Sequence, residues 1–265
     1  MPTAILSALP EEQTGLTALL SNAERVIHAG REFWLGEIHE QRVVLALSGI
    51  GKVAAATTAT ALIERFGVRR IVFTGVAGGL QAGVQVGDVV LGSSYVQHDL
   101  DVSPLFPRYV IPSIGKSILA ADTDLIAILF IAAQAINTPA TAILSFESST
   151  KTSSKNRIHQ GRIQIGRIHQ GRIHQGLIAS GDRFVSSAAE VQALRTALPD
   201  ALCVEMEGAA VAQVCHDYAL PFAAARTISD RADDTAHVDF SQFVRDVAGP
   251  MTVKLVDAWL KHESK

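Results

Sequence analysis

Cysteine is scarce in this chain: its 265 residues hold two, Cys203 and Cys215, with neither CxxC nor Cys/His spacing around them. That excludes a disulfide framework and a zinc ribbon, and both thiols read as reduced, buried packing residues. An excess of one charge is also lacking. Lys plus Arg number 23 and Asp plus Glu 26, a net charge of −3, which gives no general pull toward phosphate backbones or anionic lipid. Nucleic acid is therefore not expected as a partner. No apolar run reaches the roughly 20 residues that span a bilayer. The longest, LIAILFIAAQAI at 125–136, reads as a core or subunit-interface helix. The opening MPTAILSALPEE has no basic stretch, and Pro10, Glu11 and Glu12 cut its apolar run short, so no signal peptide and a cytosolic location are expected.

What is present is hydrophobic content, 48% of the chain, enough for one large core and a single domain over 1–265. Strand-like and helix-like segments alternate, as an α/β fold with a largely buried sheet requires. Strands are predicted at 3–9, 33–39, 43–47, 70–73, 88–96, 140–144, 177–179, 201–204 and 222–228, and helices at 11–21, 53–66, 122–136, 188–198, 208–218 and 240–260. The run TGVAGG at 74–79 is read as a Gly-rich turn closing the strand before it.

One segment breaks the alternation. Residues 157–176 read as four pentapeptides, RIHQG, RIQIG, RIHQG and RIHQG. A period of five sends successive histidines to opposite faces of a strand, or well around a helix, so His159, His169 and His174 do not converge on an ion. The repeat is taken as an insertion in an exposed connection, which loop-closure entropy tolerates. Deleting three of its four units is expected to leave a folded protein.

Four acids stand at the ends of predicted strands: Glu12, Glu205, Glu207 and Asp230. Catalytic groups of α/β folds collect at such edges. Taken singly, each has a plainer reading. Glu12 sits in a helix first turn, where the macrodipole favours an acid, and Asp230 suits an N-cap or turn. Together they match what cleaving an N-ribosidic bond requires: a base for the attacking water, an acid for the leaving purine and acceptors for ribose hydroxyls. SGIGK at 48–52 lacks the P-loop spacing and TGVAGG lacks GxGxxG, so neither reads as a nucleotide-phosphate loop. HDLD at 98–101 reads as hydrogen bonding and a subunit contact rather than a metal site.

In order along the chain stand ALPEE (8–12), SGIGKVAAA (48–56), TGVAGGL (74–80), VGDVV (86–90), HDLDV (98–102), SGDRFV (180–185), VEMEGAAVAQVC (204–215) and RTISDRAD (226–233). Together they resemble the methylthioadenosine/S-adenosylhomocysteine nucleosidases of the nucleoside phosphorylase family, over nearly the whole chain. The resemblance implies a three-layer α/β/α fold with a central twisted mixed β-sheet, a purine nucleoside substrate, no cofactor or metal, and a homodimer. It implies that Glu12 activates water with Arg226 nearby, and that Asp230 protonates or hydrogen-bonds purine N7. Glu207 would accept the ribose hydroxyls, with Glu205 beside it and Met206 against the sugar. Phe184 would stack on the base and the Val185 backbone read its edge, while Val76, Ala77 and Gly78 line the site. Leu105 and Phe106 would reach the partner subunit's pocket for the ribose 5′-substituent. Val76 stands where the family often has serine, Pro10 where it commonly has a third acid, and Arg183 where it has a small residue. A purine nucleoside phosphorylase, a futalosine hydrolase and a non-catalytic nucleoside-binding homologue remain as alternatives; the acidic first loop disfavours a phosphate dianion.

Overall fold

In the computed structural model, residues 1–136, 171–231 and 240–264 are described. The predicted strand at 140–144 and most of the pentapeptide repeat lie outside them. The strands are β1 (Thr3–Ser7), β2 (Ser21–His28), β3 (Arg31–Ile38), β4 (Gln41–Leu47), β5 (Arg70–Gly79), β6 (Val89–Gln97), β7 (Ile118–Ala120), β8 (Ile173–Ser180), β9 (Ala201–Glu205) and β10 (Phe222–Asp230). The helices are α1 (Pro10–Gln13), α2 (Lys52–Phe66), α3 (Thr123–Ile136), α4 (Ala188–Ala197), α5 (Gly208–Asp217), α6 (Phe240–Phe243) and α7 (Gly249–Glu263), the last two joined by a π-helical turn at Val244–Ala248.

These strands form one mixed sheet in the order β10-β6-β8-β9-β5-β1-β4-β3-β2, with β7 on β6. Because β10 also pairs with β5, the ladder from β5 through β9, β8, β6 and β10 closes on itself. Closure gathers strand ends that lie far apart in sequence. Asp230 pairs with Gly78, Gly78 with Val204, and Ser180 with Glu205.

Helices cover both faces, as the sequence pattern requires. On one face α2 and α5 pack over Phe73, Tyr95 and Phe222. On the other, α3 buries Leu125, Ile126, Leu129, Ala132 and Ala133, the i, i+1, i+4, i+7, i+8 stripe of a core-facing helix, against α7 with Val256 and Trp259. Among the described residues no helix is long and apolar enough to cross a membrane. Cys203 and Cys215 are free and buried.

Three expectations are corrected. The Gly-rich run 74–79 is not a turn: it continues β5, where Thr74–Gly78 pair with β10. The helix expected over 11–21 ends at Gln13, and Ser21 instead begins the exposed edge strand β2. The fourth pentapeptide is not loop. Ile173–Gly176 form the first half of β8 in parallel pairing with β6, and Asp88, fully buried, accepts hydrogen bonds from Arg172 N at 2.7 Å and His174 Nε2 at 2.8 Å.

The glycine of this unit and the one before it are also committed. A Cβ on Gly176 would lie 2.6 Å from the Leu202 side chain, and one on Gly171 would overlap the Gly87 carbonyl. Removing residues 162–171 keeps Gly161 in front of Arg172, and this deletion is expected to unfold cooperatively with an unchanged thermal midpoint. Removing 157–171 instead puts Asn156 where Gly171 stood, and the midpoint should fall. A cooperative transition lost already in the shorter deletion would refute this assignment.

Candidate active site

The gathered strand ends open into a cleft lined by Ala8, Leu9, Glu12, Ile50, Val76, Ala77, Gly78, Arg183, Phe184, Val185, Val204, Glu205, Met206, Glu207, Ser229, Asp230 and Phe240. The first loop supplies Glu12, which is 3% exposed. Its Oε2 accepts the backbone N–H groups of Ala8 (2.8 Å) and Leu9 (2.9 Å), and its Oε1 accepts that of Val76 (3.0 Å). The capping role that its position suggests is therefore real, and the same bonds fix the carboxylate at the cleft wall. A carboxylate carries about four acceptor positions, so capacity remains for a water molecule. Burial raises the Glu12 pKa, against the opposing charge of Arg226 and the three N–H donors. A raised carboxylate is a stronger base.

Arg226 lies beneath the cleft rather than in it. It is 1% exposed, donates from Nη2 to Glu205 Oε2 at 2.6 Å, and stacks its guanidinium 4.2 Å from the Phe73 ring centroid. It meets Glu12 over the bare α-carbon of Gly75: a Cβ there would lie 2.7 Å from Glu12 Oε1 and 2.9 Å from Arg226 Nη1. Burial works against the guanidinium charge, yet Glu205, Glu207 and Glu12 together hold its pKa above the ordinary value.

Glu205 lines the cleft with its carboxylate already engaged. Ser180 Oγ donates to it, as do Gly208 N (3.0 and 2.9 Å) and Arg226, so it braces the N-terminus of α5. Glu207, the residue before that helix, receives the Gly51 N–H on Oε1 at 2.8 Å. Burial first, then the neighbouring Glu205 charge, push its pKa up to about 8.

This shift has a definite sign. A carboxyl raised from about 4.5 to about 8 favours the neutral form in the fold, so its contribution is fully present below the lower value and lost as pH rises through the upper one. The thermal midpoint of the ligand-free protein is expected to fall between about pH 4.5 and pH 8 by more than that of Glu207→Gln, which has no titrating group there. Parallel curves for the two proteins would assign the effect elsewhere.

Asp230 ends β10 half-buried, and Ser229 Oγ donates to its Oδ2 at 2.7 Å. Phe184 faces Phe240 edge-on, with ring centroids 5.8 Å apart. The Arg183 side chain is 74% exposed and paired with Glu190.

Of the residues singled out from sequence, Glu12, Asp230, Glu207, Met206, Glu205, Phe184, Val185, Val76, Ala77 and Gly78 converge on this cleft. Arg226 supports it from below. Leu105 and Phe106 do not line it; they are 83% and 41% exposed on this protomer. Ser229, Ile50, Ala8 and Phe240 line it without having been anticipated. Ser229 carried a signal, a hydroxyl directly before Asp230, while Phe240 follows a segment with no pattern to place it.

The sequence model of the phosphorylase superfamily matches residues 2–261. The chain is 36% identical to a 5′-methylthioadenosine/S-adenosylhomocysteine nucleosidase of Anoxybacillus flavithermus, covering 94% of this chain and 93% of the relative. The crystal structure of the Neisseria meningitidis nucleosidase of that name, in complex with methylthio-immucillin-A, superposes with a TM-score of 0.82 at 33% identity, over 98% of this chain and 99% of that one. Futalosine hydrolase of Helicobacter pylori is similar in fold, with a TM-score of 0.80 at 29% identity over 99% and 98% of the two chains.

Proposed function

The chain belongs to the phosphorylase superfamily, and we propose that within it this protein is a nucleosidase hydrolysing the N-glycosidic bond of 5′-methylthioadenosine and S-adenosylhomocysteine. The likeness to nucleosidases of that name over almost the full chain supports the substrate class. One observation carries the choice of water over phosphate. The cleft presents Glu12, Glu205, Glu207 and Asp230, whereas Arg226 is buried against Glu205 and Arg183 turns to Glu190. Among the described residues, a phosphate dianion would meet the charged Glu12, with both arginines near the cleft already paired to glutamates and no unpaired guanidinium to offset the repulsion.

In this reading Glu12, oriented by Val76 N–H and the first-loop amides, takes a proton from water as its oxygen bonds to ribose C1′. Asp230, steadied by Ser229, delivers a proton to purine N7 as the C1′–N9 bond breaks. Free adenine and the 5-substituted ribose leave. Glu207 and Met206 hold the sugar and Phe184 the base, an aromatic face suiting a flat heterocycle. No step calls for a metal or cofactor. The enzyme acts in the cytosol as a homodimer, in which Leu105 and Phe106, too exposed for a lone protomer's needs, close the partner's site.

Release of adenine from methylthioadenosine, followed by chromatography in buffer with and without phosphate, tests this. Equal release in both supports the nucleosidase; strict phosphate dependence refutes it. The likeness to futalosine hydrolase supports a second reading, cleavage of that nucleoside in the same cleft. Competition between the two substrates ranks them.

A further inference from the structure

Behind the cleft, three charged residues close a ring that none of these roles uses. Lys52 opens α2, and its backbone N–H donates to Asp182 Oδ1 at 2.7 Å. The backbone N–H of Asp182 donates to Asp99 Oδ2 at 2.8 Å. Lys52 Nζ then returns to Asp99 Oδ1 at 2.6 Å. Each residue is thus tied to the other two, although they come from the start of α2, the end of β6 and the end of β8.

The ring adjoins two different walls of the cleft. One residue before Lys52, the Gly51 N–H holds the Glu207 carboxyl at 2.8 Å. Two residues after Asp182, Phe184 lines the cleft, with Val185 next. Lys52 Nζ also donates to Gln97 Oε1 at 3.2 Å, and Gln97 Nε2 to Gln213 Oε1 at 2.7 Å, which reaches α5, the helix that Glu207 precedes. From the other side, the bare α-carbon of Gly181 packs against the His98 ring and Asp99, and its N–H donates to Glu205 O at 3.1 Å.

We propose that Asp182, with Lys52 and Asp99, is a positioning device that sets the spacing between the Phe184 wall and the Glu207 acceptor, and so the fit of a ligand touching both. The inference rests on the nucleosidase reading. Asp182 itself adds little electrostatically, because it is exposed and its charge is screened. Its effect is geometric: fixing two walls that belong to different elements holds the reacting groups to the tolerance that catalysis requires.

A ligand with a hydroxyl for Glu207 feels that spacing, and one without it does not. The test compares kcat/KM for methylthioadenosine with that for its 2′-deoxy analogue. In Asp182→Ala the advantage of the natural nucleoside should shrink by about five- to tenfold, the scale of one misplaced hydrogen bond. Asp182→Asn keeps an oxygen for the Lys52 N–H and should stay within about twofold of the wild-type ratio. Should Asp182→Ala not fold, Asp99→Asn, which sets an amide against one of two donors, should shrink the ratio in the same direction. Equal losses on both nucleosides, or no change in the alanine variant, would overturn the proposal. The wild-type protein in the same assay tests the nucleosidase reading separately. If it cleaves neither nucleoside, dissociation constants of adenosine and 2′-deoxyadenosine must show the same pattern across the variants, or the ring has no such role.

Discussion

Asp230→Asn is expected to lower kcat on methylthioadenosine by about a hundred- to ten-thousandfold, the range of a lost general acid, with KM and thermal midpoint little changed. The substitution is nearly isosteric. The amide oxygen it introduces still accepts from Ser229 Oγ, which bonds Asp230 at 2.7 Å, and the half-buried position at the end of β10 tolerates a neutral side chain. Only the transferable proton is removed. A fall in kcat and kcat/KM by the same factor would mark an interaction made in the transition state alone. The sharper check is a substrate whose leaving group needs no proton, such as a nucleoside analogue carrying a nitrophenolate-type aglycone. Asp230→Asn should retain most of its activity there, and a loss equal to that on the purine substrate would remove Asp230 from the acid's role.

Glu12→Gln is expected to lose a comparable factor, about a hundred- to ten-thousandfold, but with a stability cost that Asp230→Asn lacks. Both Glu12 oxygens accept backbone N–H groups, from Ala8 and Leu9 on one side and Val76 on the other. A glutamine amide has one acceptor oxygen, so its NH2 must face one of these donors, at a cost of about 1–3 kcal/mol. The two effects separate in single-turnover measurements well below the melting temperature, where the variant is fully folded. Wild-type rates in that assay would assign water activation to another group.

Helices α2, α3, α4 and α5 and strands β1, β3 and β4 were legible because their signals are local. The apolar stripe of α3 and the glycine closing α2 at Gly67, in the left-handed region at φ 60°, act within one or two turns. The run at 74–79 was misread for a physical reason: glycine normally weakens a strand. Here Gly75 stays in register with Arg226, and the space a side chain would fill is taken by Glu12 on one side and Arg226 on the other. β2 went unseen because both its faces are largely exposed, so no alternation marks it. Within the site, the acids were readable from strand ends and motif order. The bonds that orient them were not. Glu12 and Val76 lie 64 residues apart, and Gly51 and Glu207 156, and no periodicity connects them.

The fourth pentapeptide belongs to the sheet, and the units at 157–161, 167–171 and 172–176 are identical. Whichever copy precedes Leu177 becomes the strand. Adding or dropping whole units therefore leaves the same backbone N–H and imidazole on Asp88 and the same glycine against Leu202, whereas gain or loss of a single residue within 172–176 reverses the inward and outward faces of the strand ahead of it. The sheet's demand thus falls on one copy and the glycine before it, and a change of length by whole units leaves that demand met.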